Sequence, residues 1–176
     1  MDKFLIRKAT IDDAYWIASV NANTRYTTYQ WLMPQKVLET RLASIQETSE
    51  KIKENMQKSD SLFLVALNTE NDEIIWMLYY GPSRNEKYPN DWEIYAFYIL
   101  QEYQKLGIGK NLFLAWVHEL LNLWYNNMIL NVLEWNNAIW FYQKFGWIVV
   151  WERFEPCGKI MIKENILFFD NIKNIK

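Results

Sequence analysis

The stretch at residues 95–110 constrains the fold more than any other part of the chain, because it combines a strand, a tight turn and the start of a helix. Its first part, residues 95–100, is rich in the aromatic and β-branched side chains that favour strands. Apolar residues then recur at helical spacing from Ile108 onward. Gly107 and Gly109 stand at the junction. The pattern predicts a sheet strand that leads through glycines into the N-terminus of a helix.

The two glycines favour the binding of a phosphate-bearing ligand. Glycine lets the backbone approach a bound group because no Cβ is in the way, and the free amides at a helix N-terminus attract anions. The short Gly-x-Gly pattern is weakly specific, since it also occurs in turns that bind nothing. It is neither a P-loop nor a full dinucleotide-binding fingerprint. From these residues alone, a phosphate site and a plain tight turn both stay open.

Longer segments are more specific. Residues 104–109, Gln-Lys-Leu-Gly-Ile-Gly, resemble the Gln/Arg-x-x-Gly-x-Gly/Ala signature of the GNAT superfamily of N-acetyltransferases, whose loop holds the pyrophosphate of acetyl-coenzyme A. Residues 136–146 are similar to that family's Asn-x-Ala-x-x-Phe-Tyr-x-Lys-x-Gly helix. A weaker match, residues 28–34, lies where many members carry a loop on the substrate side. The resemblance extends over nearly the whole chain.

The resemblance implies one GNAT-like acetyltransferase domain over residues 1–176, with an α/β fold in which helices flank a mixed, mostly antiparallel central sheet. The order of strand and helix patterns along the chain agrees with a mixed α/β sheet. The other predicted segments that bear on the site are a short helix ending at Val20, a polar and aromatic loop at 21–34, one longer helix at 35–58, a strand at 61–67, a helix from the glycines to about residue 123, and a frayed tail from residue 170.

The resemblance also implies a coenzyme site. Strand residues would supply backbone hydrogen bonds to the pantetheine arm, loop amides would hold the pyrophosphate, and one asparagine would contact the coenzyme. The residues so implied are Phe97, Tyr98, Ile99, Gln104, Lys105, Leu106, Gly107, Ile108, Gly109, Lys110 and Asn136. Asn136 can also cap a helix. Lys105 and Leu106 stand where members often have Gly-Lys, so we expect a stiffer loop.

Acetyl transfer from a thioester needs a deprotonated amine, a stabilised carbonyl oxygen and a proton for the leaving thiolate. The resemblance places Tyr142 near the sulfur as general acid; without the motif it would be interpreted as a core tyrosine. The amide of Ile99 is the expected donor to the carbonyl oxygen. Glu93 is the candidate base, acting directly or through water, and an exposed strand-end glutamate without a catalytic role is equally compatible. His118, the one histidine, is predicted to lie on a helix surface.

The predicted function is transfer of an acetyl group from acetyl-coenzyme A, a cosubstrate, to a primary amine of a small molecule or peptide by direct attack. The alternative is a module of the same fold that binds or senses acyl-coenzyme A without turnover. A net charge of -2 gives no basic footprint for nucleic acid, and no apolar run reaches membrane-span length. One cysteine excludes an intrachain disulfide and suits the cytoplasm. We predict no metal site, and a homodimer is plausible.

Ten tryptophans and five glycines are an unusual combination, since about twelve glycines would be average for this length. Several tryptophans, among them Trp31, Trp76 and Trp135, stand where glycine is expected. One hypothesis is that these positions are glycine in the natural protein, because a reassigned stop codon was read as tryptophan. The other is a genuinely tryptophan-rich chain. The codons at these positions distinguish the two.

Overall fold

A computed structural model describes residues 3–58, 62–121 and 126–175. The strands are β1 (Phe4–Lys8), β2 (Leu62–Asn68), β3 (Glu73–Pro82), β4 (Trp92–Ile99), β5 (Met128–Leu133), β6 (Ile148–Cys157) and β7 (Ile160–Phe169). The α-helices are α1 (Ala14–Tyr29), α2 (Gln35–Ala43), α3 (Ile45–Met56), α4 (Ile108–Leu121) and α5 (Ala138–Gln143). Short 3-10 turns lie at Ile11–Asp13, Gln101–Tyr103 and Ile172–Asn174.

The strands form one sheet in the order β1-β2-β3-β4-β5-β7-β6. Neighbours are antiparallel except β4 and β5, which run parallel. Helices cover both faces, because each face of the sheet presents apolar side chains that need burial. The predicted mixed, mostly antiparallel sheet flanked by helices is therefore confirmed. Within the three described ranges, no helix combines the length and apolar content that crossing a membrane requires.

Three clusters of buried side chains position the helices. The largest lies between the sheet and α4, where Phe113 and Trp116 are fully buried. A second holds α1 and α3 against the opposite face of the sheet. A third joins Tyr29 at the end of α1 and Leu38 of α2 to Leu133 at the end of β5. The C-terminal part of α1 thus lies over the region where β4 and β5 end.

The sheet opens in its middle, between β4 and β5. The paired residues of these strands are Trp92–Met128, Glu93–Ile129 and Ile94–Leu130. Beyond these residues, β4 continues to Ile99 and β5 continues to Leu133, but the two strands no longer pair with each other. A bulge marks the point of separation, because Tyr79 pairs with Ala96 and Tyr80 pairs with Ile94, so that the register shifts by one residue at Tyr95. A bulge bends its strand, and the result is a wedge-shaped opening between residues 95–99 and 131–133, called the cleft below.

Two predictions of local structure are wrong in this region. The loop predicted at residues 21–34 is helical over most of its length, because α1 continues to Tyr29. Small or aromatic residues on one side of this helix contact the core, and the polar residues between them hid the periodicity. The single helix predicted at residues 35–58 is two, α2 and α3, which meet at Ser44 with φ -98° and ψ 17°.

The predicted frayed tail is also wrong over part of its length. Ile172 is fully buried, and its amide donates to the carbonyl of Asn126 at 2.7 Å. Three predicted features lie outside the described residues: the start of the strand at residue 61, the end of the helix at residues 122–123, and a loop at Trp124 and Tyr125.

The tryptophans fall into two groups. Trp76 is fully buried inside β3, with its ring centre 5.5 Å from that of Phe97, and Trp147 is also buried. Trp31 and Trp135 are exposed, and Trp135 has a left-handed φ of 66°. A left-handed conformation is unusual for a bulky side chain and easy for glycine. At Trp135, therefore, the backbone favours the glycine hypothesis, whereas the core packing of Trp76 does not.

Candidate functional site

Backbone groups of β4 point into the cleft. The amide of Leu100 donates to the carbonyl of Ile75 on β3 at 3.0 Å. Because peptide groups alternate in direction along a strand, those of Tyr98 also face β3, whereas those of Phe97 and Ile99 face the cleft. The carbonyl of Ile99 accepts from Gln104 Nε2 at 2.8 Å. Of the strand residues predicted from the sequence, Phe97 and Ile99 thus offer backbone groups to a ligand.

The turn from β4 to α4 passes through two left-handed residues, Lys105 with φ 62° and Gly107 with φ 79°. Lysine adopts this conformation at a higher cost than glycine, and the expected stiffness of the loop stays a prediction. Gly109 lies in the first turn of α4, where a Cβ would stand 3.1 Å from Ile99 Cδ1. Glycine therefore lets the start of α4 lie directly against the end of β4.

The other predicted loop residues take different positions. Lys110, like Lys105, is exposed at the start of α4, where the helix dipole also favours an anion. Leu106 is exposed, and Ile108 is buried in the main core. The Gln104 side chain holds the loop to the strand through Ile99. The anion-attracting groups at this end of the cleft are therefore backbone amides and two lysines.

Tyr142 lies on α5, on the α4 side of the sheet beside the cleft. It is 6% exposed, and its ring centre is 6.4 Å from Phe97 and 5.3 Å from Phe141. Burial, with a smaller contribution from Tyr98, raises the pKa of the Tyr142 hydroxyl above its ordinary value. A hydroxyl that stays protonated can donate to a developing thiolate.

Asn136 precedes α5 and links it to α1. Its Oδ1 accepts from the amide of Ala138 at 2.9 Å, so the capping role is present. Its Nδ2 donates to the hydroxyl of Tyr29 at 3.4 Å. Contact between Asn136 and a coenzyme stays a prediction, but these bonds place its side chain at the boundary between α5 and the α1 side of the cleft.

Glu93 lies at the paired end of β4 and is 3% exposed, so an exposed strand-end glutamate is excluded. Its Oε2 accepts from the amide of Arg84 at 2.8 Å, and its Oε1 accepts from Arg84 Nη2 at 3.0 Å. Both carboxylate oxygens of Glu93 are therefore engaged by Arg84. The assignment of Glu93 as base stays a prediction, and direct proton transfer would require Arg84 to move away.

Sequence reasoning missed a polar cluster on the α1 side of the cleft. Arg25 Nη1 donates to the hydroxyl of Tyr98 at 2.8 Å. The Arg25 guanidinium carbon is 5.3 Å from the ring centre of Tyr29 and 5.8 Å from that of Tyr98. Burial, together with the hydrogen-bonded Tyr98, raises the pKa of Tyr29 well above its ordinary value. Arg25 and Tyr29 are four residues apart, a spacing that makes them neighbours on a helix surface. This relation could have been found in the sequence, but the segment was predicted to be a loop.

Asn131 was also missed. It follows Leu130, the last β5 residue that pairs with β4, and therefore stands where the cleft begins. Its Nδ2 lies 3.5 Å from Glu93 Oε1. Its Oδ1 is buried and has no hydrogen-bond partner among the described residues. Because buried polar atoms are normally paired, this oxygen is available to a donor on a ligand.

A separate groove of about 310 Å³ lies between α1 and the turn after β4, lined by Trp16, Asn23 and Gln101 among others. Arg25 follows Trp16 by about two and a half helical turns and lies on the opposite side of α1. None of the predicted site residues lines this groove. The groove and the cleft are therefore different surfaces.

Comparisons with known proteins bear on the family and the fold of the chain. A family model described as an acetyltransferase (GNAT) domain matches residues 30–163. The uncharacterized N-acetyltransferase YuaI of Bacillus subtilis (strain 168) is 28% identical over 172 residues, which are 97% of this chain and 95% of that protein.

Solved structures are similar over the same extent. The PaiA N-acetyltransferase of Thermoplasma acidophilum, in complex with coenzyme A, superposes with a TM-score of 0.75 at 23% identity and covers 95% of this chain and 98% of its own. The ribosomal-protein-S18-alanine N-acetyltransferase of Escherichia coli gives a TM-score of 0.67 at 16% identity and covers 96% and 94%. At these identities the structures establish the shared fold.

Proposed function

The chain belongs to the GNAT family of acetyltransferases, and from this premise we propose that it transfers an acetyl group from acetyl-coenzyme A to a primary amine. The observation that carries the proposal is the cleft. An unpaired strand edge, a glycine-containing helix start and a buried tyrosine surround one opening in the sheet.

The residues of the cleft suit a long, thin ligand with an anionic end. The pantetheine arm is rich in amides and can add to a strand edge, as extended peptides do, so Phe97 and Ile99 would bind it. The amides that begin α4, with Lys105 and Lys110, would bind the pyrophosphate. Gly109 lets these amides lie close to the end of β4, because a Cβ at this position would stand 3.1 Å from Ile99 Cδ1.

Each chemical requirement then has a residue. The thioester supplies an activated acetyl group: the amine nitrogen bonds to its carbonyl carbon, and the carbon–sulfur bond breaks. The amide of Ile99 donates to the carbonyl oxygen as negative charge develops. Tyr142 gives a proton to the leaving thiolate. The proton lost by the amine leaves through water, with Glu93 as the candidate base of that step.

The test is release of coenzyme A thiol from acetyl-coenzyme A in the presence of primary amines, with mass spectrometry of the product. We expect an amine-dependent release and a product heavier by one acetyl group. Tight binding of acetyl-coenzyme A with no amine-dependent release for any acceptor would instead support the alternative, a binding or sensing module.

A further inference from the structure

Two arginines beside the cleft, Arg25 on α1 and Arg41 on α2, form no ion pair with any described residue. The other arginines each pair with at least one carboxylate: Arg7 with Asp13, Arg84 with Glu93, and Arg153 with Glu155 and Glu164. Arg25 is half-buried, whereas Arg41 is exposed. A half-buried cation without a carboxylate is costly, because it loses water without gaining a counter-charge. The unpaired state of Arg25 therefore needs an explanation.

Arg25 has N–H donors that form no hydrogen bond with a described residue. A guanidinium carries five N–H donors, and its only hydrogen bond to a described residue is the one to Tyr98. Its Nε is buried and has no partner in the described ranges. The negative charge of Glu164 acts on Arg25, but that carboxylate already accepts from Arg153 at 2.8 Å. Arg25 thus keeps a buried, unused donor.

Arg41 adds a second positive charge near this place, because it follows Leu38 by three residues on α2 and Leu38 packs in one cluster with Tyr29 and Tyr98. The Arg41 side chain is exposed. Partial loss of hydration lowers the pKa of Arg41, and the positive charge of Arg25 contributes a smaller decrease. Arg25 contacts both tyrosines, through its hydrogen bond to Tyr98 and its position over the Tyr29 ring. Two like charges near one pair of tyrosines, neither of them in an ion pair with a described carboxylate, make a local field that attracts an anion.

This positive site lies next to the proposed reaction. Tyr98 stands between Phe97 and Ile99, whose backbone groups face the cleft. Tyr98 also acts electrostatically on Tyr142, the proposed acid. The α1 side is opposite the face on which α4 and α5 pack, so a second substrate can approach from there. Asn131, with its free Oδ1, lies at the closed end of the cleft and can accept a hydrogen bond from an amine.

We propose that the acceptor is a small primary amine that also carries an anionic group, either a carboxylate or a phosphate ester, which Arg25 binds with Arg41 beside it. The planar fork of arginine matches both anions in a bidentate arrangement. This inference rests on the proposed acetyl transfer and names its substrate class. A polyamine, whose charges are all positive, would be repelled by the same site.

The first experiment compares matched acceptors with the wild-type protein by the thiol-release assay. Each proteinogenic amino acid is paired with its C-terminal amide, phosphoethanolamine is paired with ethanolamine, and spermidine represents polyamines. We expect at least one anionic acceptor to exceed its neutral partner at least tenfold in kcat/KM. The amino acids and phosphoethanolamine distinguish the two anions. Equal or better use of the neutral partners or spermidine would overturn the proposal, and so would no turnover of any anionic acceptor.

Variants assign the preference to the arginines. Arg25→Gln should raise the KM of the anionic acceptor by about 10- to 100-fold, the range for a hydrogen bond to a charged group, and leave its neutral partner unchanged. Arg41→Gln should act in the same direction more weakly. Lys51→Gln, which removes an exposed lysine paired with Glu47 on α3, is the control. Equal loss for both acceptors would mean a structural role and would overturn the assignment.

Two controls separate this inference from the proposed function. Thermal melting with acetyl-coenzyme A reports folding and coenzyme binding for each variant, and Arg41→Gln carries the test if Arg25→Gln does not fold. If the wild type does not bind acetyl-coenzyme A, the proposed function fails, and calorimetry with acetate and inorganic phosphate then tests the anion site. Binding that Arg41→Gln weakens would keep the site, and no binding would overturn it.

Discussion

The two sides of the cleft are built from different kinds of atoms. On the coenzyme side, the available groups are amides of β4 and α4 and a glycine that no side chain can replace without movement. On the α1 side, they are the side chains of Arg25, Tyr98 and Asn131. A backbone site depends on the path of the chain, whereas a side-chain site can change by one substitution without altering that path. We therefore expect coenzyme use to depend on the fold and acceptor choice to depend on a few residues.

The largest effect should come from Tyr142, on the α4 side of the sheet beside the cleft. Tyr142→Phe removes only the hydroxyl, so the ring contacts with Phe97 and Phe141 remain. We expect kcat to fall by about 10²- to 10³-fold, within the range for general acid catalysis, and the melting shift with acetyl-coenzyme A to persist. A loss of less than tenfold would remove Tyr142 from the proposed acid role.

The raised pKa of the Tyr142 hydroxyl leads to a prediction about how the rate varies with pH. Because burial raises this pKa above 10.0, the hydroxyl keeps its proton throughout the usual assay range. The rate at saturating substrates should therefore not decline through loss of this proton below about pH 10. An alkaline decline near pH 8 that disappears in Tyr142→Phe would contradict this account.

Gly109→Val tests the coenzyme side alone. The added side chain would meet Ile99 and push the first turn of α4 away from the strand end. We expect the Kd for acetyl-coenzyme A to rise by about tenfold or more, since misplacement by about 1 Å is costly in a site. The KM of the acceptor should stay the same. Arg25→Gln should show the reverse pattern, and a variant that raised both constants equally would break the comparison.

Glu93→Gln tests whether this carboxylate is a base or a structural residue. Its ion pair with Arg84 leads us to expect mainly a stability effect of about 1–2 kcal/mol, or a decrease in Tm of about 2–8 °C at this chain length. The value of kcat should fall less than tenfold. A fall of more than a hundredfold with an unchanged Tm would establish Glu93 as the base instead.

Trp135→Gly should have the smallest effect, and it should stabilise the protein. Relief of a left-handed conformation gains about 1–2 kcal/mol, and the flexibility of glycine in the unfolded chain costs about 0.5–1 kcal/mol. A net gain of up to about 1.5 kcal/mol is expected from these two contributions, measured as a higher Tm. Trp140→Gly, at an exposed position inside α5, is the control and should lower the Tm. A lower Tm for Trp135→Gly would count against glycine at that position.

The coenzyme side could be predicted from the sequence because its signals are local. Glycines, a helical apolar period and the strand before them all lie within residues 95–110, and the structure places β4 and α4 there. These elements are defined by their own residues, so no knowledge of the surrounding fold was needed.

The α1 side of the cleft could not be predicted from the sequence, because its features depend on contacts between distant segments. Arg25 acquires its role only when α1 packs over Tyr98, which lies 73 residues away. Asn131 becomes significant because β4 bends at Tyr95 and no longer pairs with β5 beyond Leu130. Polar residues in 21–34 resembled a loop, although the packed face of α1 stabilises the helix.

Thermal melting of the wild-type protein with and without acetyl-coenzyme A tests the central claim most directly. At a hundred times its Kd, a ligand stabilises the fold by about 2.7 kcal/mol, which predicts a Tm increase of roughly 5–10 °C for a chain of this size. Gly109→Val should show a smaller increase at the same concentration. A wild-type protein that melts cooperatively with no increase in Tm would contradict the assignment of the cleft as a coenzyme site.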